Sequence, residues 1–184
     1  MYDLQQLQRH LESQWQTKGR SLKWKQGPTE KLPGAFRVLE FEPSSIHPFW
    51  IYSTLGMSLE RADSHLIEMH IFSAKQDERL VELLTVTASC HRNSLPLGLH
   101  HTINFGRPWQ DNSPCSFGFI SIPYLDGEDL ELFHFEDRHL HNLWLIPITE
   151  PEREYKVAHG WDALETLFEK YGLDYLDASR VSCV

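Results

Sequence analysis

The sequence predicts an α+β fold, in which one mixed β-sheet carries helices packed on it. Strand-like segments dominate the middle of the 184-residue chain, whereas helical patterns occur at its start, around residues 77–90 and near its end. Strands and helices do not alternate strictly, which disfavours a doubly wound parallel sheet. The length fits one domain, so residues 1–184 are expected to form a single unit with a sheet of about six to eight strands.

Helices are predicted in three places. The first follows Asp3, an N-cap residue, and ends near Gly19, because apolar residues recur there at helical spacing. A second is expected from Asp77 to about Cys90. The last helical stretch opens at Pro151-Glu152, is interrupted at Gly160 and ends at Gly172. Its apolar stripe consists of Trp161, Leu164, Phe168 and Tyr171.

Strands are predicted where aromatic and branched residues cluster or alternate with polar ones. The segments are Phe36–Phe41, Phe49–Leu55, Leu66–Phe72, His101–Phe105, Phe117–Ile122, Leu130–Phe135 and Leu143–Ile148. Asp126-Gly127 indicates a turn before Leu130–Phe135. This spacing of strands supports the α+β class.

The composition argues against two classes of partner. The formal net charge is −9 and the 17 basic residues are spread along the chain, so the concentrated positive face of a nucleic-acid binder is not expected. No window approaches the apolar length of a membrane span, and the N-terminus lacks the pattern of a signal peptide. Three cysteines without CxxC spacing indicate free thiols and a cytoplasmic location. The acidic balance suits either a basic protein partner or solubility alone.

No catalytic residue, cofactor or metal site is assigned. The sequence lacks the GxSxG, GxGxxG and GxxxxGK[ST] motifs, and Cys90-His91 has no orienting third group. Neighbouring His100 and His101 point to opposite faces of a strand, although His139 and His141 share a face if their segment is extended. A metal-dependent hydrolase built on the histidines, with His134 and His91 as further candidate ligands, therefore remains an alternative function.

An acidic segment follows the predicted turn. It contains Asp126, Glu128, Asp129, Glu131, Glu136 and Asp137, interleaved with Leu130, Leu132, Phe133 and Phe135. Carboxylates beside apolar area favour a surface that holds a basic partner, whereas a solvated turn is the plainer interpretation. Both remain open, and Asp126, Glu128 and Asp129 are candidate binding residues.

The segment His100–Trp109, HHTINFGRPW, combines a short strand with a turn. Gly106 permits a positive φ, and Pro108 restricts Arg107 to an extended backbone, so that Trp109 is expected to cover the edge of the core. Candidate binding residues are His100 and Arg107 of this segment and Tyr124 of the stretch that follows it, and Arg107 could instead pair with a carboxylate of the chain itself.

Three segments, in order, resemble the Suppressor of fused family, most clearly over residues 50–184. They are His100–Trp109, Asn142–Glu150 and Tyr175–Val184. The last is similar to the family's Leu-Asp-Pro-x-Arg-x-Ser-Val-Val terminus, with Ala178 where proline is usual and Cys183 where valine is usual. The residues expected to form the structural part of these motifs are His101, Asn104, Gly106, Pro108, Trp109, Asp177 and Arg180.

The resemblance implies a single-domain bacterial relative with the sandwich of the family's N-terminal domain. It also implies protein binding without catalysis. Bacterial relatives of this kind act as immunity proteins against toxins, many of which are basic nucleases, so a basic toxin is the implied partner. The animal protein binds zinc-finger transcription factors through two domains, which leaves a regulator that sequesters a transcription factor as a further alternative.

Overall fold

The computed structural model describes residues 2–27, 29, 32–61, 63, 65–93 and 96–184. Within them the chain forms one mixed eight-stranded sheet with five helices, which confirms the predicted α+β class. The helices are α1 (Leu4–Gln14), α2 (Arg79–Asn93), α3 (Glu128–Glu131), α4 (Glu150–His159) and α5 (Trp161–Tyr171). The strands are β1 (Gly19–Leu22), β2 (Arg37–Phe41), β3 (Trp50–Leu55), β4 (Ile67–Ser73), β5 (Thr102–Asn104), β6 (Cys115–Ser121), β7 (Leu132–Phe135) and β8 (Arg138–Thr149).

The long strand β8 organises the sheet, whose order is β1-β2-β3-β4-β8-β6-β5. The first part of β8 pairs in parallel with β4 and antiparallel with β7, and its second part pairs antiparallel with β6. The other neighbouring strands are antiparallel, which makes the sheet mixed. The edge strand β5 and the loop before it are therefore placed beside β6.

Both faces of the sheet are covered. Helices α1 and α5 pack on one face through residues such as Leu11 and Phe168, and α2 packs on the other through Leu80 and Leu84. Strand β4 is buried along its whole length, as expected of a central strand covered on both sides. No helix among the described residues is both long and apolar enough to cross a membrane.

Helix α2 extends to Asn93, past the predicted end near Cys90, although threonines interrupt its sequence. The Thr85 and Thr87 hydroxyls donate hydrogen bonds to the carbonyl oxygens of Val81 and Leu83, at 2.6 and 2.9 Å. These bonds satisfy the buried hydroxyls inside the helix, which offsets the low helix propensity of threonine.

The predicted strand Leu130–Phe135 is wrong for its first two residues, because Glu128–Glu131 form the helical turn α3 and β7 starts only at Leu132. Leu130 lies in this helical turn and is fully buried, and its carbonyl oxygen accepts a hydrogen bond from the Asn142 side-chain amide at 2.9 Å. Two apolar residues two positions apart, Leu130 and Leu132, thus belong to different elements. The alternation that indicated a strand spans a helix-to-strand junction.

Two further predictions need correction. Strand β1 was not predicted, because its four residues are half-buried or exposed and carry no apolar alternation. The last helical stripe was predicted to contain Trp161 and Tyr171, but only Leu164 and Phe168 of that stripe are buried. These two lie one turn apart on the face toward the sheet, while Trp161 and Tyr171 are exposed at the two ends of α5.

The C-terminal segment is anchored by Arg180, which is buried. Its guanidinium donates hydrogen bonds to both oxygens of the Glu152 carboxylate, each at 2.7 Å, and to the Pro147 carbonyl oxygen at 2.9 Å. Glu152 also forms the capping box of α4 with Thr149. Burial would raise the pKa of Glu152, but the hydrogen bonds from Arg180 and the Thr149 N–H outweigh it and lower that pKa.

Candidate protein-binding surface

His100 lies at the junction between the loop after α2 and the edge strand β5. Its backbone is left-handed, with φ 64°, and its N–H donates to the Ile120 carbonyl oxygen at 2.7 Å. A residue with a side chain seldom adopts this conformation without support. The imidazole stacks flat on the indole of Trp161, with ring centroids 3.6 Å apart and planes 6° apart. Burial lowers the pKa of His100 and outweighs the charge of Glu165, which raises it, so burial favours the neutral ring.

Glu165 lies one helical turn after Trp161 and is oriented by two hydroxyls. The Ser121 hydroxyl donates to Oε1 at 2.6 Å and the Tyr124 hydroxyl donates to Oε2 at 2.8 Å. Burial is the largest cause that raises the pKa of Tyr124, and the neighbouring Glu165 raises it further, to about 12. The phenol therefore stays protonated and donates the hydrogen bond. The carboxylate is thus held in one orientation at the surface.

We call the group His100, Tyr124, Trp161 and Glu165, together with Leu99, which precedes His100 in the chain, the Trp161 face. Leu99, Tyr124 and Trp161 are 41 %, 53 % and 43 % exposed. Exposed tryptophan and tyrosine side chains are typical of binding hot spots, because they supply large contact areas with little loss of conformational freedom. The Trp161 face therefore combines apolar area with an oriented negative charge.

Acidic residues surround this face on α5. Asp162 and Glu169 are exposed and follow the same helical side as Glu165, at positions three before and four after it. Lys156 of α4 is a basic residue near His100, and its ammonium donates to the Thr102 hydroxyl at 3.3 Å. The acidic groups outnumber this cation, which favours a basic partner surface.

The structure brings together only two of the predicted binding residues, His100 and Tyr124. Arg107 lies on the other side of the sheet, where its guanidinium pairs with Glu82 of α2 at 2.7 Å and donates to the Arg79 carbonyl oxygen at 3.3 Å. The internal pairing that the sequence left open for Arg107 is therefore formed. Trp161 and Glu165 were missed as surface residues, because helical spacing placed Trp161 in the core stripe.

Asp126 does not present its carboxylate to a partner as expected, because its side chain is only 3 % exposed. Its Oδ1 accepts hydrogen bonds from the Trp15 indole at 3.1 Å and lies 2.9 Å from Nε2 of His47. Burial raises the pKa of Asp126 and the contacts with His47 and Trp15 oppose that change. Asp126 thus connects its own loop with the loop of His47 and with Trp15 at the end of α1. No neighbouring residue in the sequence indicated this role.

The rest of the acidic segment divides between internal and exposed positions. Glu131 Oε1 lies 2.9 Å from Nδ1 of His141, whereas Glu128 and Asp129 are exposed on α3. Glu128 and Asp129 line a surface groove of about 460 Å³ together with His10 and Phe133. Of the predicted acidic binding residues, these two are the ones accessible to a partner.

The predicted motif residues occupy turns and anchoring positions. The Gly106 N–H donates to the Asn104 side chain at 2.7 Å, and Gly106 has φ 71°, a value that favours glycine. Trp109 is 2 % exposed. The His101 carbonyl oxygen accepts a hydrogen bond from the Ile120 N–H, and the Asp177 side chain accepts one from the Ser179 N–H. Of the remaining motif residues, Pro108 is exposed and Arg180 is buried.

The second histidine group lies on the β7–β8 hairpin. His134 and His139 are directly paired across the two strands, and the ring centroids of His139 and His141 are 4.9 Å apart. His139 and His141 thus share a face, as expected for an extended segment. Within the described parts of the chain, no group of three or more His, Cys, Asp or Glu side chains is placed to hold a metal ion.

Comparison with known proteins identifies the family. The model of the family Suppressor of fused protein (SUFU) matches residues 34–181. The chain is similar to the Immunity protein YqcF of Bacillus subtilis (strain 168), with 39 % identity over 152 residues, which cover 72 % of this chain and 73 % of that protein.

Solved structures share the fold. A crystal structure of a putative SUFU homolog from Neisseria gonorrhoeae FA 1090 matches with a TM-score of 0.85 and 32 % identity, covering 98 % of this chain and 96 % of that one. Drosophila Suppressor of Fused matches with a TM-score of 0.69 and 13 % identity, over 98 % of this chain and 51 % of that chain. The predicted resemblance is confirmed, and this chain belongs to the Suppressor of fused family.

Proposed function

We propose that this protein is a non-catalytic protein-binding domain that neutralises a toxin as an immunity protein, and that it binds the toxin through the Trp161 face. The observation that carries the proposal is the exposure of Trp161 and Tyr124 beside the oriented carboxylate of Glu165. The 39 % identity to an immunity protein supports the choice of a toxin as the partner.

The partner is proposed to be basic. The chain carries a net charge of −9, and Asp162 and Glu169 extend the negative charge of Glu165 along α5. Opposite charge on a partner accelerates association and selects against other acidic proteins. Glu128 and Asp129 on α3 supply a further acidic patch four to five residues beyond Tyr124 in sequence, and they are proposed to contribute to the approach of the toxin.

The proposed domain is the single unit 1–184, and its cytoplasmic location is a proposal from the unpaired cysteines. A regulator that sequesters a transcription factor is not favoured by a specific observation. The likeness to the animal structures, at 13 % identity for the Drosophila protein, supports the fold only. No described feature favours the metal-dependent hydrolase either.

The test takes as partner the product of a toxin-like reading frame adjacent to this gene, or a toxin captured with this protein from its native host. The toxin is expressed in a bacterial host with and without this protein. We expect co-expression to restore growth and the two purified proteins to form a stoichiometric complex. The double variant Trp161→Ala/Tyr124→Ala should weaken the complex by about 2–4 kcal/mol or more, as for paired hot-spot residues.

The matched control is Tyr171→Ala, an exposed tyrosine at the other end of α5, about 15 Å from Trp161 along the helix axis. This variant should bind the toxin as the wild type does. Absence of both a complex and growth rescue would overturn the immunity function. Rescue by the double variant at wild-type affinity would move the interface away from the Trp161 face.

A further inference from the structure

The indole of Trp161 is both stacked on a neighbouring ring and partly exposed. His100 stacks on it at 3.6 Å between centroids, and Trp161 nevertheless remains 43 % exposed. The stack fixes the plane of the indole, so its exposed part does not have to be ordered when a ligand binds. An indole attracts cations through the negative potential of its ring, and more strongly than other aromatic side chains.

Glu165 follows Trp161 by four residues on α5, a spacing that makes the two side chains neighbours on the helix surface. Its two hydrogen-bond donors are the hydroxyls of Ser121 and Tyr124, which are neutral groups. In the part of the chain that the structure describes, no Lys, Arg or His forms an ion pair with Glu165, and each carboxylate oxygen retains an acceptor site. The negative charge at this position is therefore oriented but not compensated.

From this arrangement we infer that the Trp161 face recognises an arginine side chain of its protein partner, with the guanidinium stacked on Trp161 and hydrogen-bonded to Glu165. The Tyr124 hydroxyl holds the Glu165 carboxylate through its hydrogen bond to Oε2, and the phenol ring itself is exposed. Asp162 and Glu169 add negative charge without contacting the guanidinium, and they match a basic surface around that arginine. The inference rests on the proposed function, because a protein partner must supply the arginine.

The geometry selects arginine over lysine. A guanidinium is planar and delocalised, so it stacks on an indole while its N–H groups, which lie in the same plane, reach a carboxylate at the ring edge. An ammonium is a strongly hydrated point charge that satisfies one of these contacts at a time. A ring and a carboxylate held side by side by His100 and Tyr124 therefore suit the flat cation.

The probes are three capped peptides, acetyl-Gly-Arg-Gly-amide, its lysine counterpart and its citrulline counterpart, which has the shape of arginine without the charge. Binding is followed by NMR through the indole N–H signal of Trp161 in labelled protein. We expect the arginine peptide to shift this signal and to bind about tenfold more tightly than the lysine peptide, with no binding of the citrulline peptide. Equal shifts with arginine and lysine, or no shift with arginine, would overturn the inference.

Two variants locate the site. Glu165→Gln keeps the shape of the side chain and removes its charge, and Trp161→Leu removes the indole, so each should lower the affinity of the arginine peptide about tenfold or more. The Leu variant is followed through the backbone signal of residue 161. Tyr171→Leu, which changes the other exposed aromatic residue of α5, should leave the peptide affinity unchanged.

These experiments distinguish a failure of the arginine site from a failure of the proposed immunity function. Neutralisation of the toxin by wild type, together with unchanged peptide affinity in Glu165→Gln, would refute the arginine site while the immunity function stands. Selective arginine binding without any effect on the toxin would refute the immunity function and leave the arginine site in place.

Discussion

Arg180 is the residue through which the C-terminal segment is attached to the sheet, because its guanidinium pairs with the buried carboxylate of Glu152. Replacement by methionine leaves that carboxylate buried without a cation. We expect Arg180→Met to lower the free energy of unfolding by about 3–5 kcal/mol, as measured by urea denaturation.

The control is Arg153→Met, which removes an exposed ion pair with Glu154 and a cation–π contact with Phe117, and it should cost less than about 2 kcal/mol. The double variant Arg180→Met/Glu152→Gln should be more stable than Arg180→Met alone, because the unpaired charge is gone. If Arg180→Met were as stable as Arg153→Met, the buried pair would not anchor the segment.

Replacing Trp109 tests whether the Gly106–Trp109 turn has the structural role expected for it. Its ring is 2 % exposed and packs with the core that includes α2. Trp109→Ala should cost about 3–5 kcal/mol, because it removes a large buried ring and leaves a cavity. The comparison is Tyr171→Ala on the surface, where a change of about 0.5 kcal/mol is expected. An unchanged denaturation midpoint for Trp109→Ala would show that this ring does not hold the core.

At the scale of the element, α3 determines where the accessible acidic residues lie. Glu128 and Asp129 are exposed at its start, while Leu130 turns inward. Reversing both acids to lysine should slow association with a basic toxin and flatten the salt dependence of the association rate. Folding should change by about 0.5 kcal/mol or less per exposed site. Stopped-flow association rates over a range of salt concentrations provide the measurement.

The matched variant is Glu42→Lys/Glu78→Lys, which makes the same change in net charge at two exposed positions outside α3. It should reduce the association rate less than the α3 variant does. An α3 variant with the wild-type rate and salt slope would mean that this segment is a solvated turn, as the sequence left open.

Elements that bury a regular apolar pattern were predictable, and those at junctions were not. The spacing of Leu7 and Leu11 indicates α1, because one helical face must cover the sheet. Leu130 and Leu132 read as one strand, since a single turn of helix followed by a strand leaves the same alternation. Trp161 fitted the apolar stripe of α5, and only its place at the first helical position leaves it exposed beside His100.

The same contrast applies to the residues of the proposed binding surface. His100 and Tyr124 were predicted from an unusual local sequence, yet the contact between His100 and Trp161 joins residues 61 positions apart in the chain. Asp126 was misjudged because its partners Trp15 and His47 come from distant segments. Charge along the sequence indicates a surface only when tertiary contacts leave that charge exposed.

At the scale of the whole molecule, stability comes from two apolar cores on either side of one sheet. Burial of apolar side chains in these cores stabilises the fold without a covalent or metal cross-link. Cys90, Cys115 and Cys183 are free, and the described residues form no metal-binding group. The fold is therefore expected to depend on packing and on buried pairs such as Arg180 with Glu152.

Thermal melts with chelator, with reductant and without either should accordingly coincide. For a chain of this size about 1 kcal/mol corresponds to roughly 2–4 °C, so a fall of more than about 4 °C in either condition would reveal a metal or a disulfide that stabilises the fold. Arg180→Met, whose melting temperature must fall if the buried pair matters, shows that the assay detects such a loss. A fall with chelator alone, together with a stoichiometric ion in the purified protein, would favour the histidine-based hydrolase over the toxin-binding domain.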